Sequence, residues 1–560
     1  MPPTEEFDYV IVGAGSSGCV LADRLTEDGR NSVLLLEYGG SDRSIFVQMP
    51  SALSIPMNSE KYDWRFYSEP EPGLGGRQLH TPRGKVLGGS SSINGLVYVR
   101  GNAQDFERWE SEGATGWNYA SVLPYFRRAE KRAVGGNDYR GDEGPLQTRY
   151  GTLANPLHAA WLEAGRQAGY ASTDDINGYQ QEGFGRLDMT VGEDGRRCSA
   201  ANAYLRPAMR RPTLAVKTGA LAMRINFDGR RAIGVEYRHG ETTHRAVARR
   251  QVIVSAGPIN SPKLLKLSGV GPAAELREHG IEVVADRPGV GENLQDHIEF
   301  YFQVACTQPV TLYSSMGLFA RAMIGARWLL RKDGLGATNH FETGGFIRSR
   351  AGVPYPDIQF HFLPLAVTYD GSSLAHEHGF QAHVGPMRSK SRGHVRLASP
   401  DAREKPKILF NYLSHPDDLV EFRAGLRLAR EIFAQKAFDP YRGREIQPGN
   451  EVQTDDEIDS FVRSKVESAY HPSCSCKMGR SSDPMAVVNP EGRVYGAEAL
   501  RVIDSSVMPS ITTGNLNAPT IMLAEKMADG VLGREPLPPS TAPFHVVGDW
   551  QVSQRQRQPT

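Results

Sequence analysis

The sequence lacks any excess of one charge and any long apolar run. Lys plus Arg and Asp plus Glu each number 64 among 560 residues, so no overall field draws the chain to nucleic acid. No apolar run approaches the roughly 18 residues that a membrane-spanning helix needs. Acidic Glu5 and Glu6 precede the first short apolar segment, whereas a secretory signal begins with basic residues. We expect a soluble cytoplasmic protein, attached to a membrane at most peripherally.

Cysteine is also scarce, and its count is odd. The five cysteines are Cys19, Cys198, Cys306, Cys474 and Cys476. Such sparse placement is typical of free thiols in a reducing compartment. Cys474 and Cys476 stand near His471, but this set has no evident fourth ligand and its spacing is tighter than that of zinc-binding pairs. We therefore expect no metal site.

Near its start the chain has the pattern of a strand, a glycine turn, a helix and a second strand. Residues 8–12 are apolar and β-rich, residues 17–25 have a helical pattern, and residues 31–36 read as a buried strand. This order predicts a βαβ unit.

The turn inside this unit has the spacing of a dinucleotide site. Gly13 permits a tight turn, Gly15 lets the backbone approach a pyrophosphate, and Gly18 lets the helix pack on the strand. Ser16 opens the helix, whose N-terminus offers free N–H groups to phosphates. Glu37 follows the second strand, where its carboxylate can accept hydrogen bonds from an adenosine ribose. The motif by itself fits either NAD or FAD.

A second glycine cluster makes a simple NAD dehydrogenase less favoured. Gly88, Gly89, Ser90 and Asn94 lie in a stretch with no helical or strand periodicity, flanked by apolar residues on both sides. Apolar flanks argue against a flexible linker, and glycines with hydroxyls suit close contact with a ring or phosphate. We expect this loop to bind the cofactor as well.

The remaining chain indicates a nucleotide domain interrupted by a second domain. Residues 213–250 predict an antiparallel meander, and residues 251–256 a further buried strand. We predict an α/β fold, a Rossmann-like domain with a discontinuous α+β domain built on an antiparallel sheet flanked by helices. The predicted bounds are 1–155, 200–310 and 460–545 for the nucleotide domain, 156–199 and 311–459 for the substrate domain, and 546–560 for a disordered tail.

Several separated motifs carry a family resemblance. They are GKVLGGSSSINGLVYVRG at 84–101, GPINSPKLLKLSGVG at 257–271, HPSCSCKMG from His471 and RVIDSSVMPSITTGNLNAPTIMLAEKMAD from Arg501. In this order they resemble the glucose–methanol–choline family of FAD oxidoreductases. The likeness runs nearly end to end and is greatest to members that oxidise choline. It implies extended FAD and hydride transfer from an alcohol carbon to flavin N5.

Three positions depart from the family pattern. Ile93 stands where some members attach the flavin covalently through a histidine, so we expect non-covalent FAD. Tyr38 follows the acid where a small residue is common, and Pro519 stands where threonine is expected. Pro519 is compatible with the first turn of a helix, because the N–H it lacks would be unpaired there.

The resemblance also implies the residues of the reaction. His471 is the expected base for the hydroxyl proton, because imidazole titrates nearest to working pH. Asn515, with Asn517 as the alternative, is expected to donate a hydrogen bond to the alkoxide oxygen. The helix opened by Pro519 is expected to face the flavin pyrimidine edge. Asp504 is expected near the ribityl chain or pyrophosphate, with capping of a loop as the alternative.

Choline carries a quaternary ammonium that donates no hydrogen bond, so an anion and aromatic faces must hold it. Glu299 resembles the position that contacts this group in choline-oxidising relatives. Trp64, Tyr470 and Phe341 are the candidate aromatic walls, although a surface glutamate and core aromatics would give the same pattern.

The expected reaction is choline to betaine aldehyde, with onward oxidation to glycine betaine as an extension. The alternatives are oxidation of other primary alcohols, or a lyase of the same fold that keeps FAD without redox turnover. The resemblance implies a respiratory quinone or similar electron acceptor and peripheral attachment to the cytoplasmic face of the inner membrane.

Overall fold

The computed structural model describes residues 4–367 and 377–555. Its first sheet has seven strands. In spatial order they are Leu214–Lys217, Val33–Leu36, Thr4–Val12, Thr242–Val254, Arg231–His239 and Ala220–Asp228, with Leu500–Val502 also paired to Thr242–Val254. The first four of these and Leu500–Val502 run parallel. Their central residues are apolar and buried, as expected for parallel strands covered on both faces.

The strand Thr242–Val254 belongs to two kinds of pairing at once. Its first half pairs antiparallel with Arg231–His239, which in turn pairs antiparallel with Ala220–Asp228. From Arg245 onward it also lies parallel to Thr4–Val12, and its last three residues lie parallel to Leu500–Val502. The predicted meander and the predicted buried strand at 251–256 are both confirmed, as parts of one continuous arrangement.

Long helices surround the sheets. Those of nine residues or more are Ser16–Thr26, Ala103–Ser111, Tyr119–Ala129, Pro156–Gln167, Gly257–Leu267, Leu318–Arg331, Pro416–Phe433, Asp455–Lys465 and Asn517–Leu532. Across residues 4–367 and 377–555, none combines the length and apolarity needed to cross a bilayer. Together with the sheets they confirm the predicted α/β class.

The first and last helices are joined through a buried carboxylate. Glu525 is fully buried and accepts hydrogen bonds from Arg24 and Arg128, at 2.9 Å each, and from the Tyr204 hydroxyl at 2.9 Å. Removing one partner of such a buried set leaves an uncompensated charge. This network fixes the C-terminal helix beside the helix that follows the glycine turn.

The second sheet also has seven strands, and its pairings are antiparallel. In spatial order they are Arg442–Gln447, Ile298–Cys306, Gly379–Pro386, Ile358–Leu363, Thr343–Ile347 and Gly183–Arg186, with Glu467–Ser468 paired to Ile298–Cys306. Since Ile298–Cys306 lies in this sheet, the chain enters it before residue 311, the predicted bound. Strands of both sheets are apolar and aromatic, so the sequence of Ile298–Cys306 does not show which sheet this strand joins.

Strand alternation gives the second sheet two different buried faces. Side chains two residues apart share a face, so phenylalanines pack on the helices while the residues between them face the opposite side. The helix-facing aromatics are Phe300, Phe302, Phe360, Phe362 and Phe380, which pack with Trp161 and Phe433. The other face carries the buried polar residues Glu299, Gln303, Gln359, His361, Gln381 and His383.

The chain beyond residue 545 is not simply a free tail. The Ser553 carbonyl accepts a hydrogen bond from Arg348, Gln554 donates to the Arg348 carbonyl, and Arg555 pairs with Glu431 at 2.7 Å. The prediction of disorder from 546 onward is therefore wrong for residues 553–555. The polar composition of this segment gives no sign of the three contacts that it makes. Residues 556–560 lie outside the described residues.

Candidate active site

A cavity of about 280 Å³ lies between the two sheets. One wall is formed beyond the carboxyl ends of Thr4–Val12, Val33–Leu36 and Thr242–Val254, where α/β sheets bind ligands. The other wall includes the polar face of the second sheet, with Glu299. All predicted site residues line this cavity except Gly18 and Gly88, and the alternative Asn517 lines it as well.

The first glycine turn is shaped for a close backbone approach. Gly13 has φ of 101°, and a Cβ there would lie 2.4 Å from the Ser255 carbonyl oxygen. A Cβ on Gly18 would lie 1.9 Å from the Gly13 carbonyl oxygen, which explains its packing role. Gly15 precedes the first helix, and no side chain caps that helix end. Its first-turn N–H groups are therefore available to an anionic group.

Unpartnered polar atoms face the same region. Ser17 Oγ and Ser255 Oγ are buried, line the cavity and have no hydrogen-bond partner among the described residues. Buried hydroxyls without partners are rare in proteins. Together with the uncapped helix end, they fit a bound dinucleotide whose phosphates and sugar supply the missing partners.

Glu37 both lines the cavity and holds the glycine turn. Its carboxylate accepts hydrogen bonds from the backbone N–H groups of Ala14 at 3.0 Å and Gly39 at 2.7 Å. Burial raises the pKa of Glu37 to about 7. A ribose hydroxyl would bind to the lone pairs that these two contacts leave.

The second glycine cluster touches the first. Gly88 and Gly89 have φ of 87° and 53°, and a Cβ on Gly89 would lie 2.6 Å from the Gly15 Cα. Ser90 Oγ accepts a hydrogen bond from Gly84 N–H at 3.1 Å. The two clusters therefore border one binding region, although they are far apart in sequence.

Asn94 and Asp504 both serve the protein's own loops. Asn94 Oδ1 accepts hydrogen bonds from Leu96 N–H at 3.2 Å and from Arg197 at 2.8 Å. Asp504 accepts from the Ser261 hydroxyl at 2.6 Å and from Gly257 N–H at 2.9 Å. The Asp504 carboxylate, whose pKa burial raises, thus has the capping arrangement that the sequence left as its alternative.

Four histidines meet at the polar end of the cavity region: His297, His361, His383 and His471. His297 Nε2 lies 3.0 Å from the Met387 carbonyl oxygen, to which only an N–H can bind. His297 Nδ1 is therefore the acceptor, and His471 Nδ1–H donates to it at 3.0 Å. These two hydrogen bonds leave the lone pair of the neutral His471 ring on Nε2.

Asn515 lies directly against that lone pair. Its amide Nδ2 donates to His471 Nε2 at 3.0 Å, and its Oδ1 lies 3.2 Å from His361 Nε2. Asn517, the alternative, instead accepts a hydrogen bond from the Ser16 hydroxyl at 2.8 Å. Pro519 is the third residue of the helix Asn517–Leu532, which begins at the cavity.

The surroundings keep His471 uncharged. Burial lowers the pKa of His471 well below its ordinary value, and His297, His361 and Arg83 lower it further. Burial also lowers the pKa of His297 to about 4. At neutral pH both rings are therefore uncharged, each with one N–H, and His471 is able to accept a proton.

Arg83→Gln is expected to move the acid limb of kcat/KM for the alcohol substrate to higher pH. A base works only above its pKa, and the variant removes a permanent positive charge that lowers the pKa of His471. As the solution is made more acid, the variant should therefore lose activity at a higher pH than the wild type. The measurement is the pH profile of kcat/KM from about pH 5 to 8. Superimposable acid limbs would contradict this electrostatic role.

Glu299 and His383 form the second polar centre. His383 Nδ1 lies 2.6 Å from Glu299 Oε1, and His383 Nε2 lies 2.8 Å from Gln381 Nε2. The Val367 backbone N–H donates to Gln381 Oε1 at 2.9 Å, which fixes the amide with its nitrogen toward His383. His383 Nε2 is thus an acceptor, the ring is neutral, and the negative charge of Glu299 is not cancelled by it.

The predicted aromatic walls fall in two groups. The Phe341 ring lies edge-on to His383 with centroids 5.4 Å apart, close to Glu299. Trp64 stacks on Phe66 at 5.7 Å, and Tyr470 precedes His471 with φ of 65°. All three predicted aromatics line the cavity.

Sequence reasoning missed most of the histidine cluster. His297, His361, His383 and Gln381 were not among the predicted site residues. The available signal was the alternation of aromatic and polar residues in IEFYFQ, IQFHF and FQAHV. Polar residues between buried aromatics indicate a strand with a functional inner face.

Comparisons with known proteins match this chain over most of its length. Two family models, both described as GMC oxidoreductase, match residues 7–299 and 389–524. "Oxygen-dependent choline dehydrogenase" of Brucella ovis is 61% identical over 550 residues, covering 98% of this chain and 100% of that protein. Pyridoxine 4-oxidase from "Mesorbium loti" has a TM-score of 0.86 at 28% identity, covering 94% and 99% of the two chains. An FAD-dependent oxidoreductase from Chaetomium thermophilum has a TM-score of 0.84 at 28% identity, with the same coverage.

Proposed function

The chain belongs to the GMC oxidoreductase family, and we propose that it oxidises choline to betaine aldehyde with non-covalently bound FAD. The observation that carries the proposal is a neutral His471, with its Nε2 lone pair facing Asn515, in the same cavity as the anionic Glu299. A base and an anion at one cavity suit an alcohol that bears a permanent cation. Relatives at 61% and 57% identity, both named as choline dehydrogenases, support the same substrate.

The protein's residues divide the work between binding and proton transfer. Glu299 and Phe341 hold the trimethylammonium group by charge and by an aromatic face. The substrate hydroxyl donates to His471 Nε2, which takes its proton, while Asn515 Nδ2 donates to the oxygen as negative charge develops. His297 Nδ1 accepts the hydrogen bond of the resulting imidazolium. Bound FAD supplies the acceptor for the hydride that leaves the carbinol carbon.

The predicted cofactor-binding residues offer hydrogen-bond donors and a cavity that fit FAD. The uncapped helix end after Gly15 and the two unpartnered serine hydroxyls would hold the phosphates and sugars. Ile93 lines the cavity and has no nucleophilic atom, which supports non-covalent binding. Extraction of the flavin by acid precipitation, leaving colourless protein, tests this point.

Onward oxidation would use the same base. The hydrate of betaine aldehyde is a gem-diol that keeps the quaternary ammonium, so it can present a hydroxyl to His471 in the same pose. Glycine betaine would then be the final product. A product analysis in isotopically labelled water, in which the hydrate gains the label, distinguishes one oxidation from two.

The electron acceptor is a separate proposal. The family resemblance implies a respiratory quinone, whereas the relatives from Brucella ovis and Photobacterium profundum are named as oxygen-dependent. Both acceptors require the same reaction of alcohol with flavin. The cytoplasmic location and the peripheral attachment to the inner membrane stay predictions.

Anaerobic mixing of the purified holoenzyme with a panel of alcohols tests the function. We expect choline to bleach the flavin absorbance rapidly, and benzyl alcohol or hexanol to bleach it slowly or not at all. Bleaching by the neutral alcohols alone would favour another primary alcohol, and an oxidised flavin with every alcohol would favour a lyase. Adding oxygen or a soluble ubiquinone to the reduced enzyme then identifies the faster acceptor.

A further inference from the structure

The helix Leu318–Arg331 has its apolar side chains on the outside. Trp328 is its one buried residue, and its indole N–H donates to the Gly195 carbonyl at 2.8 Å. Five large apolar side chains are exposed: Leu318 by 87%, Phe319 by 81%, Met323 by 57%, Leu329 by 53% and Leu330 by 85%. A helix on the surface of a globular protein normally has the opposite arrangement.

These side chains form one continuous face. At about 100° per residue, the five apolar side chains and two alanines of the helix fall within about 140° of its circumference. Trp328 lies on the opposite side, where it fastens the helix to the protein. We call the outward set Leu318, Phe319, Met323, Leu329 and Leu330 the apolar face.

The charged residues of the helix Leu318–Arg331 and of its C-terminal end are all cations. Arg321, Arg327, Arg331 and Lys332 belong to the helix or its end, and residues 311–332 contain no Asp or Glu. Asp333 follows and pairs with Arg327 at 2.7 Å. An exposed apolar face flanked by cations is the composition of helices that lie in the plane of a bilayer interface.

We propose that the apolar face docks on a lipid bilayer that contains anionic lipids. Apolar side chains would enter the boundary of headgroups and acyl chains, and the flanking cations would bind the anionic headgroups. A second copy of the chain on this face would bring like charges together, so charge complementarity favours lipid. The family resemblance implied peripheral attachment but no surface for it, and this helix is the surface that we propose.

The turn that follows the helix packs against a segment that leads into the cavity lining. The turn Gly334–Ala337 follows it and contacts Pro50–Ala52. The next residues along that segment, Leu53 and Met57, line the cavity. Docking through the apolar face would therefore hold this side of the cavity close to the bilayer.

Vesicle co-sedimentation of the holoenzyme tests the proposal. We expect binding to vesicles of phosphatidylcholine with about 30% phosphatidylglycerol, weaker binding to phosphatidylcholine alone, and loss of binding as salt rises. The double variant Phe319→Asp/Leu330→Asp should lower the partition coefficient by at least about 30-fold. Val420→Asp, at an exposed apolar residue of another helix, is the matched control and should bind as the wild type does.

Three results would overturn the proposal. The first is wild-type protein that does not bind the anionic vesicles, and the second is a double variant that binds them unchanged. The third is a wild-type dimer that the double variant converts to monomer without any vesicle binding, which would assign the face to a second copy. Choline oxidation in vesicle-free solution should be equal in all three proteins, so that failure of docking and failure of the proposed function are measured separately.

Discussion

His471→Ala is expected to lower kcat/KM for choline by about 10²–10⁴-fold, the usual contribution of a positioned general base. The variant removes Nε2, the atom whose lone pair takes the hydroxyl proton. A water in the space left by the ring would be a much weaker base. FAD content should stay near that of the wild type, because His471 lies at the end of the cavity beside the second sheet. Stopped-flow flavin reduction by choline measures the loss directly.

A matched control separates chemistry from folding. His158 is another buried histidine, bound to Thr343 Oγ1 at 2.9 Å, and it does not line the cavity. His158→Gln should reduce the flavin at nearly the wild-type rate. Equal rates for His471→Ala and the wild type would remove the proposed base and, with it, the proposed mechanism.

Glu299→Gln is expected to raise KM for choline by about 30-fold or more, corresponding to about 2 kcal/mol of lost interaction with the ammonium. The amide keeps the size of the carboxylate and removes its charge. Because Gln381 holds His383 in its neutral form, the contact with His383 does not cancel the charge of the Glu299 carboxylate.

The specificity of this effect is tested with an uncharged substrate. In 3,3-dimethylbutan-1-ol a carbon replaces the choline nitrogen, so its KM should be nearly the same in the wild type and in Glu299→Gln. Glu342→Gln is the protein control, since Glu342 is a buried carboxylate that lies outside the cavity lining. An unchanged KM for choline in Glu299→Gln would exclude Glu299 from substrate binding.

The sequence predicted the parts of the fold that local physics determines. The turn at Gly13 needs a positive φ and a residue without Cβ. The turn can therefore be recognised in the sequence from the spacing of its glycines. The predicted strands and helices near it are confirmed, with the first helix at Ser16–Thr26 and the second strand at Val33–Leu36. Buried parallel strands are also simple to predict, because they are apolar without interruption.

Contacts between distant segments could not be predicted in the same way. His297 receives its partner His471 from 174 positions away, and Asn515 reaches the same ring from the other side. A single histidine just before a strand gives no sign of such a partner. The tautomer of His471 depends further on the Met387 carbonyl, which carries no side-chain signal at all.

Asp504 illustrates a third case, in which residue type was informative but the role was not. An acid in RVIDSS fits a cofactor contact and a cap equally well. Its hydrogen bonds from Ser261 and Gly257 favour the cap, at the start of the helix Gly257–Leu267. Asp504 and the segment that it caps both line the cavity.

The buried carboxylate of Glu525 has a consequence for how the protein is made. Ser16 pairs with Asn517 and Arg24 with Glu525, each across 501 positions. During synthesis the N-terminal half of the chain therefore leaves the ribosome without the helix that supports its glycine turn. Until the last helix emerges, the nascent protein has no complete pocket for its flavin, and newly made chains should acquire the cofactor only after translation ends.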